Sequence, residues 1–217
     1  MVFTILSIPV FAQADVYRIA PGAEAHLAAL LNKPAMVKPA TAVPLGKNWF
    51  TLETDAHVFT DQVSVSQVAA VLLDIENLHR HFDGKKSKIT AKITKQTADE
   101  TIADFVSIAI IPGLNIKLNT PYHASVKATI NTGTKFAVDI IQILQDSKSN
   151  GKIKNLYAPR YAEEVTINGK KYTYIRMYTI DDVDASILPF AKSALEKNSA
   201  PAAEEAIDLL IAAAKSK

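Results

Sequence analysis

The sequence predicts an α+β fold: a curved antiparallel sheet of about seven strands wrapped around a C-terminal helix. Three observations predict it. Six consecutive segments between residues 88 and 180 carry β-branched and apolar residues, and turn signals separate them. A seventh such segment, residues 49–60, comes earlier and is followed at once by a helical apolar period. The chain then ends in amphipathic helix. Strands joined by tight turns form an antiparallel meander, and its apolar face needs a cover that the last helix can supply.

The elements follow in order. Residues 49–60 (WFTLETDAHVFT) contain no Gly or Pro and read as the first strand. Ser64 or Ser66 caps a helix in which Val65, Val68, Ala69, Val71, Leu72, Ile75 and Leu78 form one face through about His81. Gly84 stops it. Strands are expected over 88–96, 101–111, 120–130, 134–144, 160–167 and 171–180. Pro112-Gly113 ends the second of these, and residues 145–152 form a polar loop. Asn131-Thr132-Gly133 and Asn168-Gly169 are hairpin turns. Residues 184–197 read as a helix, and Ser199 as the N-cap of a second one with Pro201 in its first turn. Ala202, Ala206, Leu209, Leu210 and Ala213 make the stripe of that second helix.

Upstream of Trp49 the reading is looser. Residues 23–32 suit one short helix, while Pro34, Pro39 and Pro44 make 33–46 an extended tether. Residues 1–14 (MVFTILSIPVFAQA) are an apolar run closing on Ala12-Gln13-Ala14, the pattern of a signal-peptide cleavage site, although no Lys or Arg precedes it. A short buried strand is the alternative. The expected division is a signal peptide over 1–14, an N-terminal extension over 15–48 and a folded domain over 49–217. The mature protein would then be periplasmic or secreted. The run is too short for the ~20 apolar residues of a membrane span, so no stable span is expected.

Composition bounds the function. With 217 residues, 48% hydrophobic and 21% charged, the chain is not of disordered type. A net charge of +2 argues against a nucleic-acid partner. The absence of cysteine excludes disulfides, thiolate metal sites and a cysteine nucleophile. Only 7 glycines are present and no phosphate-cradling motif occurs, so no cofactor is expected. His79 and His81, two residues apart on a helix, point to different sides, and no metal site is expected.

The element order, together with residues 65–82 (VSQVAAVLLDIENLHRHF), resembles the START-like, or helix-grip, superfamily, which includes polyketide cyclase-like and lipid-transfer proteins. Asp74, Glu76, Leu78 and Phe82 sit where such proteins carry an Asp-x-Glu-x-Leu-like turn and an aromatic residue before the second strand. The resemblance spans about residues 49–217. It implies a cavity between sheet and long helix for an apolar small molecule, and it carries no shared catalytic residues. Two features depart from the pattern: the N-terminal extension, and the break near 198–201 where the family keeps one long helix.

Six residues are candidate ligand contacts. Tyr174, Arg176 and Tyr178, with Tyr172, alternate on one side of the last strand, where hydroxyls and a guanidinium could orient a polar head. Cross-strand stabilisation on a solvent face is the competing reading. Tyr122 lies on the apolar side of its strand. Asp104 and Asp139 interrupt strongly apolar strands and share their faces with Ile102, Val106 and Ile108, and with Ala137, Ile141 and Ile143. Each is either solvent-facing or buried with a partner such as Arg176 or a tyrosine.

Three functions compete. The first is an exported binder of a hydrophobic small molecule or lipid. The second is a cyclase- or hydrolase-type enzyme using Asp104, Asp139, Arg176 or a histidine in the same cavity. The third is a structural or interaction module whose cavity is filled. The oligomeric state is not legible in the sequence.

Overall fold

The computed structural model describes residues 15–111, 116–143 and 152–217. The proposed signal peptide, the Pro112-Gly113 turn and most of the 145–152 loop lie outside the described residues. Ten strands form one antiparallel sheet: β1 (Ala35–Met36), β2 (Thr41–Gly46), β3 (Trp49–Thr60), β4 (Ser87–Gln96), β5 (Thr101–Ile111), β6 (Ile116–Asn131), β7 (Lys135–Gln142), β8 (Ile153–Tyr157), β9 (Arg160–Ile167) and β10 (Lys170–Asp184). The order across the sheet is β1-β3-β10-β8-β7-β6-β5-β4, with β2 on β3 and β9 beside β8 between β10 and β7.

Ten strands replace the expected seven for identifiable reasons. β8 and β9 occupy one lane of the sheet, interrupted at Ala158-Pro159, where proline has no N–H to offer the ladder. β1 and β2 arise from the supposed tether. Its prolines forbid helix but permit extended chain, and the segment pairs with β3 from Thr41↔Glu53 to Gly46↔Trp49. The N-terminal extension is thus part of the packed fold. Ahead of it, a 3-10 turn (Ala23–His26) runs into a one-turn helix, α1 (Leu27–Leu30), within the stretch read as a short helix.

Helix α2 (Val65–Leu72) opens with a capping box between Ser64 and Gln67. It is shorter than its apolar face suggests. The chain breaks at Asp74, whose carboxylate accepts from Asn77, His81 and Lys217 at 2.8–3.0 Å, and resumes as the turn Ile75–Asn77 and helix α3 (Leu78–His81). Asn168 and Gly169 both take positive φ (52° and 76°), as the two-residue hairpin between β9 and β10 requires.

The C-terminal helix α4 (Ala191–Ala214) is one continuous element, which corrects the expected break. Ser199 is inside it, and its Oγ donates to the Leu195 carbonyl at 2.7 Å rather than capping a new helix. Residues 184–190, expected as helix, are the end of β10 and a turn. Leu195, Ile207, Leu210, Ile211 and Ala214 of α4 are buried, the last four in the main core against Ala56, Val58, Phe136 and Ile175 of the sheet and Val68 of α2.

Around β10 the sheet is covered on both faces, while the outer face of β4 is exposed. The inner face packs on α2 and α4. The outer face carries Phe59, Ala137, Tyr161, Val165, Tyr172 and Tyr174 under residues 17–37.

Candidate functional site

Between the inner face and α4 lie two adjoining chambers of about 270 and 240 Å³. The deeper one is walled by Leu72, Ile75, Leu78 and Phe82 from the α2–α3 segment, and by Phe105, Tyr122, Ile140, Ile153 and Leu156 from the sheet. The more open one lies beside Lys86, Ser87, Leu188, Asn198, Ser199 and Ala206. Leu52, Arg160, Met177, Thr179, Asp181 and Leu195 line both, so the chambers meet there.

Strand parity builds this wall. On β10 the odd residues Ile175, Met177, Thr179, Asp181 and Val183 face inward, and their neighbours on β3 are of even number. β5 and β6 contribute Phe105 and Tyr122, whose rings stack at 5.1 Å.

Two ionisable side chains, Arg160 and Asp181, are shared by both chambers among the described residues, with Tyr122 at the deeper one and Lys86 at the open one. Arg160 and Asp181 are half-buried. Burial pulls the Arg160 guanidinium down to about 10, so it stays charged at neutral pH. Its Nη1 donates to the carbonyls of Pro159 (3.0 Å) and Tyr178 (2.5 Å) and to Thr179 Oγ1 (3.2 Å), all neutral acceptors. Burial, with the adjacent Asp182 charge, pushes the Asp181 carboxyl up to about 7. Its Oδ1 is sealed from solvent without a hydrogen-bond partner. The Tyr122 hydroxyl, also raised by burial, accepts from Ser107 Oγ at 3.2 Å.

Of the six residues singled out in the sequence, Tyr122 lines the cavity. The other five are on the outer face. Arg176 forms a buried bidentate pair with Asp55 (Nε–Oδ1 2.9 Å, Nη2–Oδ2 2.7 Å) and donates from Nη1 to the carbonyls of Asp15 and Arg18. Tyr174 accepts from the Ala20 N–H at 3.0 Å and lies 3.1 Å from His57 Nδ1. Tyr178 donates to Glu53 at 3.0 Å. Asp139 is buried and accepts from Tyr17, a tyrosine partner supplied by the extension. Asp104 accepts from His123 at 2.6 Å. These residues fasten the N-terminal segment to the sheet or pair across it. The solvent-face reading of the tyrosines fails too, because the extension buries them. None of the carboxylates named for the enzyme reading reaches the cavity.

Arg160 and Asp181 were missed. The signal was the odd set of β10: aliphatic side chains and threonines interrupted by one carboxylate are the better inner face, while the tyrosine alternation drew attention to the even set.

No family model and no curated protein matches the chain. Solved structures resemble it. A Thermus thermophilus protein is 10% identical, with 76% of this chain and 94% of that one covered at a TM-score of 0.49. A STAR-related lipid transfer protein from Xanthomonas axonopodis is 12% identical, covering 81% and 98% at 0.47. A START superfamily protein from Mycobacterium smegmatis is 9% identical, covering 72% and 94% at 0.46. The chain's own topology, a curved antiparallel sheet gripping one long C-terminal helix over a cavity, is the helix-grip arrangement that the resemblance in the sequence implies.

Proposed function

We propose that the protein holds a hydrophobic small molecule or lipid in the two-chambered cavity, and that it does so after export, with residues 1–14 removed. The observation that carries the binding role is an apolar space between sheet and helix with a few polar groups converging on one wall, the usual make-up of a small-molecule site. Export is supported by the Ala12-Gln13-Ala14 pattern.

Native mass spectrometry of the purified protein tests the binding role. An amphiphile-sized excess over the sequence mass, lost on activation, is the expected result. Protein at bare sequence mass that also leaves Nile red fluorescence unchanged would overturn it. For export, N-terminal sequencing of protein recovered from the periplasm or medium should begin at Asp15. An intact Met1 would remove that part.

A further inference from the structure

Resting on that binding role, the geometry points to an anionic amphiphile, a carboxylate on an apolar tail, as the occupant. The half-buried Arg160 guanidinium and the Tyr122 hydroxyl line one apolar chamber, and among the described residues no carboxylate pairs with Arg160. A cation enclosed by protein is costly unless a counter-charge meets it. Carbonyls and a hydroxyl satisfy Nη1 but bring no charge. Nε and Nη2 carry no hydrogen bond among the described residues, and that side of the fork matches a carboxylate in geometry as well as charge. The Tyr122 oxygen receives the Ser107 proton, which leaves its own O–H to donate.

Asp181 fits the same head group in its neutral form. A carboxylate oxygen sealed without a donor is poorly tolerated, so the neutral acid is favoured, and Asp181 then brings no charge to the chamber wall to oppose an anion. Asp182 on its own strand is the charge that acts on it, while Tyr122 on β6, Arg160 on β9 and Lys86 at the open chamber share the lining; β3 and α4 present uncharged side chains to the chambers. The wall therefore offers donors to an oxyanion, while an alcohol would leave the Arg160 charge unmatched. Ionised Asp181 would repel the ligand, so binding should weaken as Asp181 loses its proton.

Isothermal titration with decanoate and decanol, which share one tail, tests this at pH 6 and pH 8, where decanoate is ionised throughout. Decanoate should bind at least about tenfold tighter than decanol at pH 6, as a charge-assisted pair implies. Its affinity should fall about tenfold at pH 8, as the neutral fraction of a group titrating near 7 drops by that factor. Asp181→Asn should flatten the pH dependence and keep decanoate binding. Arg160→Gln should abolish the preference for acid over alcohol. The wild-type comparison needs no variant, so a misfolded Arg160→Gln protein leaves the test intact. Decanol binding as tightly as decanoate would overturn the anionic head group and leave the apolar-ligand reading standing. Uptake of neither would overturn both.

Discussion

Asp181 should make the stability of the unliganded protein depend on pH in an unusual direction. Its folded pKa, about 7, lies above the ~3.9 of an unfolded aspartate. The contribution is therefore fully present below about pH 4 and is lost as pH rises through about 7. Asp181→Asn should raise unfolding free energy at pH 8, by at most ~4 kcal/mol, and change it little at pH 4. Urea denaturation at the two pH values checks this, and equal shifts at both would refute it. Arg176 should behave oppositely. Arg176→Met leaves Asp55 buried and unpaired and should cost ~3–5 kcal/mol. Nile red uptake at temperatures where the variant is folded should be unchanged, because Arg176 lies across the sheet from the cavity. The two residues show what the sequence could not convey. Alternation separates a buried face from an exposed one, but β10 is covered on both sides, from Tyr174 outward and Ile175 inward. Parity groups Tyr172, Tyr174, Arg176 and Tyr178 together correctly without saying which way they point.

At the scale of elements, local chemistry was legible and tertiary override was not. A serine cap at Ser64 or Ser66, of which the structure uses Ser64, the Asn-Gly hairpin and the bounds of β3, β5 and β9 follow directly from residue patterns. Pro201 reads as a helix start because proline inside a helix costs ~3 kcal/mol. The helix runs through it because buried residues on either side, Leu195 and then Ile207 and Leu210, hold both halves against the fold. Those residues should not cost the same to truncate. Leu210 is fully buried in the main core, and Leu210→Ala should cost ~2–5 kcal/mol. Leu195 borders both chambers and already has free space beside it. Leu195→Ala should therefore cost less than Leu210→Ala in a paired denaturant titration, and should alter ligand uptake. Equal costs would mean that the chambers are closed in solution.

For the whole molecule, the sequence conveyed the grip of sheet on helix but not the second cover. In residues 15–37 the sequence shows one short helix and then Pro34, with no long amphipathic face on which Val16, Ala20, Ala23 and Leu30 could be seen to pack. They are buried all the same, since the outer face of the sheet supplies the partner surface that a short segment lacks by itself. Hydrogen bonds from Arg176 and to Tyr174 hold this segment down. The cover has a consequence for kinetics. At β3 and β10 the wall is braced on both sides by packed chain, and strands held in this way open only near global unfolding. The route in and out of the chambers then runs past the N-terminal half of α4, where Pro201 removes one helical hydrogen bond and the open chamber undercuts Leu195, Asn198 and Ala202. Ligand dissociation should be as slow as the opening of that half-helix allows. Amide exchange in residues 191–200 should slow on ligand uptake, while the amides of β3 and β10 stay protected throughout.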